Sequence, residues 1–298
     1  MRADHSVRDQ QARSRDQRIV AQFVSLSFLT EEVFRVNSNL RIHGNAPYRI
    51  AVVHGGPGAW GSVAQVAAEL SREGGVLEPY QTAYTIDGLV DELRDVVVAL
   101  GDRPMTLIGH SWGAWLVWIV AARCPDLVRK LILVGSGPFE ARYAENIDTV
   151  RFSRLTEAER SEVSTAFERF NDPTTPNRDE LLGRIGTLMG KADTYDPLPI
   201  ESDSTLPTGD PEAFSRIWPE ANAMRKRGEL LALAREISCP VVAIHGTYDP
   251  HPVDGVRVPL KNNLHDFRMI VLDRCGHEPW RERYARTEFF RVLREEVG

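Results

Sequence analysis

We predict an α/β fold, in which a mostly parallel sheet is covered by helices on both faces and a helical cap is inserted into the chain. Short runs such as Ile50–Val53 and Leu131–Val134 are uniformly apolar, which is typical of strands buried on both faces. Amphipathic helical patterns separate these runs, and parallel strands need such crossover helices. Residues 139–236 contain no predicted strand, so we assign this stretch to the helical cap.

The length and composition suit one large domain with an insertion. The chain has 298 residues, of which 42% are hydrophobic and 26% charged, as in ordinary globular proteins. We divide it into a polar N-terminal arm (residues 1–24), a core (residues 25–138 and 237–298) and a helical cap (residues 139–236).

Charge and targeting features limit the expected partners. The net charge is −6 and the body of the chain has no basic block, so we expect no nucleic-acid partner. The first residues are charged throughout, with no apolar core, and no run approaches the roughly 18 apolar residues of a membrane helix. We therefore expect a cytoplasmic protein with a small-molecule or short-peptide substrate and no membrane partner. The sequence leaves the oligomeric state open.

Cysteine usage predicts neither a disulfide framework nor a metal site. The three cysteines, Cys124, Cys239 and Cys275, are scattered along the chain and are expected to be reduced thiols. Cys275 precedes His277 by two positions and is interpreted as an inert buried thiol. No cluster of metal ligands is apparent, so we expect neither a metal nor a cofactor.

The first half of the core places two glycine motifs at the ends of strands. The strand Ile50–Val53 ends at His54-Gly55-Gly56-Pro57-Gly58. Ser62 and Gln65 form a capping-box signature before a first helix. A second helix is predicted over residues 86–100, where a glycine ends it.

The second motif lies between a strand and a helix. Met105–Ile108 is a predicted strand, Gly109-His110-Ser111-Trp112-Gly113 follows it, and residues 114–122 form an apolar helix before the strand Leu131–Val134.

The cap is predicted to contain helices separated by a polar loop at residues 193–210. Their signals are Thr156 with Glu159 as a capping pair, an apolar pattern over residues 180–189, and helix starts at Pro211 and at Pro219.

The α/β pattern resumes after the cap. A strand over residues 240–244 leads into His245-Gly246-Thr247-Tyr248-Asp249. The last strand, residues 267–272, ends near Cys275-Gly276-His277. A closing helix is predicted from Pro279 onward.

Gly109-His110-Ser111-Trp112-Gly113 has the G-x-S-x-G pattern of a nucleophile elbow. Because a buried strand precedes it and a helix follows, the chain must turn sharply and present the Ser111 hydroxyl clear of the backbone. The flanking glycines permit the close backbone approach that this turn requires. We assign Ser111 as the nucleophile, and the alternative is an inert surface serine.

A serine hydroxyl needs a base that accepts its proton. His277 follows the last strand, whose carboxyl end lies at the sheet edge where α/β proteins bind ligands. We assign His277 as the base and keep His251 as the alternative. His54, His110 and His245 are expected to pack or to hold loops.

Asp249 is predicted to orient the base. It follows the strand at residues 240–244 and precedes His277, which gives the chain order Ser, Asp, His. The interval accommodates one helix and the last strand. Asp254 is the alternative acid, whereas Asp273 is interpreted as a solvated turn residue.

Donors for a developing oxyanion are expected from two loops. The backbone amide of Trp112, the residue after the nucleophile, is one donor. Gly56, in the glycine-rich loop after the strand Ile50–Val53, is the second, and Gly55 is the alternative.

These motifs resemble the α/β-hydrolase superfamily, and HGGPG with GHSWG is similar to its proline iminopeptidase-like branch. The resemblance covers residues 25–138 and 237–298. Members of that branch usually carry an Asp-x-Arg-Gly-x-Gly-x-Ser loop after the next strand, where this chain has Leu77-Glu78-Pro79-Tyr80-Gln81-Thr82. The acids that hold a substrate amine in that branch cannot be matched position by position to Glu212, Glu220 or Glu229 of the cap.

The predicted function is a serine hydrolase that cleaves a small-molecule or peptide amide or ester through an acyl-enzyme, with an aminopeptidase-like activity implied by the resemblance. Ser111 excludes dehalogenases and epoxide hydrolases of this fold, which attack with a carboxylate. The alternatives are a carboxylesterase, a lactonase or a carbon–carbon bond hydrolase. Other classes are a cofactor-free lyase and a ligand-binding protein derived from a hydrolase.

Substrate contacts are predicted from the loops and the cap. Gly55, Trp60, Trp218 and Glu220 are the candidates. Trp115 and Trp118, on the helix after the elbow, are interpreted as core residues because aromatic residues at helical spacing usually pack.

Overall fold

The structure is a computed structural model that describes residues 39–172, 174–199 and 210–298. The polar arm predicted at residues 1–24 lies outside the described residues. Within the described ranges, seven strands form one sheet. The strands are β1 (Leu40–His43), β2 (Tyr48–Val53), β3 (Gly75–Pro79), β4 (Gly101–His110), β5 (Val128–Val134), β6 (Val241–Gly246) and β7 (Phe267–Leu272).

The sheet is mostly parallel, as predicted. Its strand order is β1-β3-β2-β4-β5-β6-β7, and only the pairing of β1 with β3 is antiparallel among these strands. The helices are α1 (Ala64–Leu70), α2 (Ile86–Leu100), α3 (Trp112–Arg123), α4 (Ile147–Ser153), α5 (Glu157–Asn171), α6 (Arg178–Asp193), α7 (Pro211–Lys226), α8 (Glu229–Ala232), α9 (Asp254–Asn263) and α10 (Arg286–Val297). Short 3-10 turns lie at Pro125–Leu127, Ala141–Tyr143, Leu233–Glu236 and Pro279–Arg281.

Helices cover both faces of the central strands. One buried apolar cluster joins alternate residues of the strands, among them Ile108 and Ile132, to Val66 of α1 and Phe289 of α10. The intervening strand residues point to the opposite face, where α3 packs against β2, β4 and β5. Trp115 and Trp118 of α3 are 1% and 0% exposed, which confirms that they are core residues.

Between β5 and β6 the described residues form helices α4 to α8 and no strand. Thr156 and Glu159 make the reciprocal capping box that the sequence indicates at the start of α5. None of the described helices is both long enough and apolar enough to cross a bilayer.

Three local predictions were wrong. Ser62 does not cap α1, which begins after Val63 without a side-chain cap. Pro219 starts no helix, because it lies inside α7, which already begins at Pro211 with the side chain of Asp210 accepting from two backbone amides. The closing helix starts at Arg286, since Pro279 opens only a single 3-10 turn.

Candidate functional site

Ser111 lies at the turn between β4 and α3 in a strained backbone conformation. Its φ of 55° and ψ of −118° fall in a region that residues other than glycine rarely adopt. Its amide donates to the carbonyl of Val134 on the next strand at 2.9 Å, which holds the turn at the sheet edge. A Cβ at Gly109 would lie 2.3 Å from the Gly113 carbonyl oxygen, and one at Gly113 2.5 Å from the oxygen of Val53. Both glycines are therefore required for the turn to close.

His277 and Asp249 are hydrogen-bonded to each other beyond the ends of β7 and β6. The Nδ1 of His277 lies 2.8 Å from Oδ2 of Asp249. Because a carboxylate only accepts, this contact places the proton on Nδ1 and leaves the Nε2 lone pair free. Burial acts to lower the pKa of His277, but the charge and hydrogen bond of Asp249 outweigh it, so the pKa is raised above 6.5.

Asp249 is also bound by the loop that follows it. Its Oδ1 accepts from the amide of His251 at 2.9 Å and from the Nδ1 of His251 at 2.8 Å. Burial favours the protonated carboxyl, but the charge of His277 and these contacts hold the pKa of Asp249 well below its usual range. Asp249 is 7% exposed and therefore carries a buried, multiply hydrogen-bonded charge.

The turn that carries Ser111 (residues 109–113) and the adjacent end of β5 contact the His277 loop (residues 273–278). The His110 Nε2 donates to the His277 carbonyl at 3.0 Å, and the two rings are 4.7 Å apart. A Cβ at Gly135, next to the hydrogen-bond partner of Ser111, would lie 3.2 Å from His277 Nδ1. In the part of the chain that the structure describes, the Ser111 hydroxyl makes no hydrogen bond with His277.

The rival residues differ from His277 and Asp249 in their surroundings. Burial, joined by the charge of His277, lowers the pKa of His251 to about 4 despite Asp249. Asp254 is exposed and pairs with Arg257 on its own helix, α9. Asp273 is exposed, accepts a long hydrogen bond of 3.4 Å from Thr247 and lies 3.7 Å from Nε of Arg274.

The two loops with the predicted oxyanion donors are joined by Gln81. Its Nε2 donates to the His54 carbonyl at 2.9 Å, and its Oε1 accepts from the indole of Trp112 at 2.6 Å. Gly56, two residues after His54, has φ 111°, and a Cβ there would lie 2.6 Å from the amide of Ala59. Gln81 therefore couples the position of the glycine-rich loop to that of the turn at Ser111.

His54 itself supports this loop and carries no charge near neutral pH. Burial lowers its pKa to about 4, and its Nδ1 donates to the Gly55 carbonyl at 2.8 Å. The expectation that His54 holds a loop is thus met by its contacts.

The segment predicted to be the cap contacts the His277 loop through polar groups of its described residues. The His277 amide donates to the Asp193 carbonyl at 2.8 Å. The Asp193 carboxylate accepts from Nε and Nη2 of Arg151 at 2.7 Å each. The buried carboxylate of Glu282 accepts from the amides of Gly276, Tyr195 and Asp196 at 2.8 to 2.9 Å. Glu282 thereby holds both the His277 loop and the cap.

The predicted substrate residues occupy different environments. The half-buried Trp60 donates to the Gln81 carbonyl at 3.0 Å. The half-buried Trp218 stacks on Trp115 with ring centroids 6.0 Å apart. Trp115 lies one helical turn after Ser111 on α3. Glu220 is exposed, and its carboxylate accepts from the amide of Ile86 at the start of α2 at 3.3 Å.

Two further residues near the site, Gly55 and Cys275, are buried. Gly55 is buried against the turn, where a Cβ would lie 3.0 Å from the Cβ of Ser111. Cys275 is 0% exposed and its pKa is raised by burial, as expected of an inert thiol.

Three side chains that could ligate a metal ion lie together in the described part of the chain, a grouping that the sequence does not show. One ligand atom each from Asp249, His251 and His277 lie within 4.8 Å of one another. The sequence pairs Asp249 and His251 only as near neighbours, and the fold brings His277 to them.

Gln81 and Glu282 were missed as site residues. Gln81 lies where the sequence departs from the iminopeptidase-like pattern, and Glu282 follows His277 by five positions. Neither carries a local signal, because their partners are backbone groups and an indole from distant segments.

The chain is similar to known hydrolases. A family model described as the alpha/beta hydrolase fold matches residues 75–279, more than half of the chain. The 2-hydroxymuconate semialdehyde hydrolase of Pseudomonas sp. (strain CF600) is 30% identical over 267 residues, covering 84% of this chain and 87% of that protein. A pimeloyl-(acyl-carrier protein) methyl ester esterase of Neisseria meningitidis serogroup B is 23% identical over 210 residues, covering 68% and 70%.

Another similarity is confined to a short segment. Epoxide hydrolase 4 of Mus musculus is 34% identical over 55 residues, which span 18% of this chain and 15% of that protein. Two solved structures share the fold. VinJ has a TM-score of 0.60 at 16% identity, covering 87% of this chain and 93% of its own. A proline iminopeptidase of Mycobacterium smegmatis has a TM-score of 0.54 at 20% identity, covering 86% and 93%.

Proposed function

The chain belongs to the alpha/beta hydrolase fold family, and on that premise we propose that it is a serine hydrolase that cleaves a small-molecule ester or amide through an acyl-enzyme. One arrangement carries the proposal. The strained turn presents Ser111 at the sheet edge, and the buried His277–Asp249 pair lies against the neighbours of Ser111.

In the proposed mechanism, the Ser111 oxygen attacks the substrate carbonyl carbon while Nε2 of His277 accepts the hydroxyl proton. Asp249 holds the Nδ1 proton and stabilises the imidazolium. The backbone amides of Trp112 and Gly56 stabilise the oxyanion. His277 then protonates the leaving group, and water, deprotonated by the same imidazole, hydrolyses the acyl-enzyme and restores the serine.

The contact between Ser111 and His277 is expected to form with substrate bound. Catalytic hydrogen bonds are often long or misaligned without substrate and tighten in the Michaelis complex. The tautomer fits the role, because Asp249 directs the Nδ1 proton away from the serine and leaves Nε2 as the acceptor.

Esters are the substrate class we place first, with carbon–carbon bonds as the second candidate. An esterase and a carbon–carbon bond hydrolase are both among the relatives, and the second covers the larger part of this chain. The aminopeptidase-like alternative has less support from the cap, because the carboxylate of Glu220 is directed to the amide of Ile86.

The test is covalent labelling of Ser111 with a fluorophosphonate probe, together with hydrolysis of p-nitrophenyl esters and aminoacyl anilides. We expect one labelled serine per chain and ester turnover, both lost in Ser111→Ala. Ser153→Ala, an exposed serine on α4, is the matched control and should behave like the wild type. Labelling and turnover that persist in Ser111→Ala would contradict the proposal, and a wild-type protein that is neither labelled nor active would favour a binding protein.

A further inference from the structure

Two stacked imidazoles share the carboxylate of Asp249. His277 donates from Nδ1 to Oδ2, and His251 donates from Nδ1 to Oδ1, each at 2.8 Å. Their rings are stacked with centroids 4.6 Å apart and planes 29° apart. Hydrolysis as proposed needs only one imidazole, so the second ring has no role in that mechanism.

Both rings keep Nε2 as their unprotonated nitrogen when they are neutral, because Nδ1 carries the proton toward Asp249. Neither Nε2 has a hydrogen-bond partner within the described ranges. In the described chain, the ring nitrogens that are fully buried and have no partner are Nδ1 of His110 and Nδ1 of His245. The Nε2 atoms of His251 and His277 are not in this group, so they are not fully buried. The side chains of His251 and His277 each remain 10% exposed.

This arrangement is the one that prepares histidines to bind a metal ion. Metal-binding histidines nearly always donate their other N–H to a carboxylate or carbonyl, which fixes the tautomer and the ring orientation. Two metal–nitrogen bonds of ~2.0 Å need nitrogen atoms about 3 to 4 Å apart, a spacing close to the 4.6 Å between the two ring centroids. The nearby charge is favourable to a cation, because the Asp249 carboxylate accepts from both rings and the Arg151 guanidinium is paired with the Asp193 carboxylate.

We propose that His251 and His277 together form a binding site for a divalent late transition-metal ion such as Zn²⁺ or Cu²⁺. Imidazole nitrogens select these ions over Mg²⁺ and Ca²⁺, which require oxygen ligands. Bound metal occupies the lone pair with which His277 would accept the Ser111 proton. On the proposed function, the site is therefore inhibitory.

The first test is direct binding of Zn²⁺ to the full chain, measured by isothermal titration calorimetry at one pH. His251→Asn removes Nε2, and its amide nitrogen can still donate to Asp249, whereas His251→Phe removes both nitrogens. His265→Asn, at an exposed histidine, is the matched control. We expect Zn²⁺ affinity to fall by at least about tenfold in both His251 variants, because loss of even a group that only orients a ligand costs about 10- to 100-fold. Equal affinity in wild type and His251→Asn would overturn the proposal.

The second test does not depend on the folding of any variant. Electron paramagnetic resonance of the Cu²⁺-loaded wild-type chain reports the number of coordinating imidazole nitrogens. Two nitrogens in the tightest site support the proposal, and one or none overturns it. Mg²⁺ should show no competition for this site.

The inhibition is tested separately from the binding. Half-maximal inhibition of ester hydrolysis should occur at the Zn²⁺ concentration that half-saturates the site. His251→Asn should shift both concentrations together. Ser111→Ala should keep the Zn²⁺ affinity within about twofold, since the serine is not one of the two ligands. Binding that depends on His251 in an inactive wild type would reject the hydrolase proposal and keep the site. An active wild type whose Zn²⁺ binding does not depend on His251 would keep the hydrolase proposal and reject the site.

Discussion

The backbone amide of His277 donates a 2.8 Å hydrogen bond to the carbonyl oxygen of Asp193 at the C-terminal end of α6. The proposed base therefore rests on the cap segment as well as on the sheet. A Cβ at the preceding Gly276 would lie 2.1 Å from that same carbonyl oxygen, so the two segments are in direct backbone contact. Movements of the cap and of the His277 loop are consequently coupled.

Glu282→Gln is expected to weaken this coupling. Glu282 accepts from three backbone amides, and a glutamine would present an amino group to at least one of them. Leaving a buried donor unpaired costs about 1–3 kcal/mol, so the free energy of unfolding should fall by about 2 kcal/mol. Urea denaturation measures the change. Glu295→Gln, at an exposed site paired with Arg291, should stay within about 0.5 kcal/mol of the wild type. Equal stability of the two variants would contradict the role of Glu282.

The pH dependence of hydrolysis should report His277. Its pKa is raised above 6.5 by Asp249 against the effect of burial, and the base works only when neutral. The value of kcat/KM should therefore rise with pH through a midpoint above 6.5. Rate profiles from pH 5 to 9 measure this midpoint. A midpoint at or below 6.5 would show that Asp249 does not outweigh burial in setting the pKa of His277.

Replacement of the acid separates Asp249 from its rival. Asp249→Asn removes the charge that favours the imidazolium, so kcat should fall by about 10³- to 10⁴-fold and the residual acid limb should move to lower pH. Asp254→Asn, at an exposed site paired with Arg257, should retain both the rate and the midpoint. A larger loss in Asp254→Asn than in Asp249→Asn would reverse the assignment.

Gln81→Leu is expected to lower kcat with little change in KM. The leucine cannot hold the His54 carbonyl or the Trp112 indole, so the two loops with the proposed oxyanion donors lose their connection. Unpaired buried groups cost about 1–3 kcal/mol, and a barrier raised by that amount slows turnover by about 5- to 160-fold. Steady-state kinetics on one p-nitrophenyl ester give both parameters. Gln65→Leu, at an exposed position of α1, is the control, and a comparable loss there would argue for a nonspecific effect.

Gly113→Ala and Gly186→Ala should have opposite effects on stability. A methyl group at Gly113 would meet two backbone oxygens, of Val53 and His54, at 2.5 Å, and overpacking against backbone costs about 3 kcal/mol. At Gly186 of α6 nothing lies within 4 Å, so alanine should stabilise the helix by about 0.5–1 kcal/mol. Thermal and urea denaturation of both variants test the pair. A stable, active Gly113→Ala would show that the turn is looser than described.

Much of the sheet could be predicted because the apolar runs of its central strands are visible in the local sequence. β7 was predicted at residues 267–272, as observed, and β5 and β6 were recognised because an uninterrupted apolar run reports burial on both faces. The edge strand β1 has only four residues and was not recognised, since a run so short shows no clear period.

The proposed catalytic residues were identifiable from order and position alone. Ser111 follows β4 directly, Asp249 follows β6 and His277 follows β7, and parallel strands deliver their carboxyl ends to one edge. The same reasoning treated His251 as a competitor of His277. In the fold the two rings instead lie side by side on one carboxylate.

The sequence by itself determined the fold class, the turn from strand to helix at Ser111 and the chain order of the candidate acid and base, because each depends on neighbouring residues in a strand, a turn or a helix. Tertiary structure alone decided that Gln81 links the glycine-rich loop to the turn at Ser111, that Glu282 and Asp193 hold the His277 loop, and that His251 shares Asp249. These contacts join segments up to 87 residues apart or depend on side-chain direction, and no local period or motif encodes them.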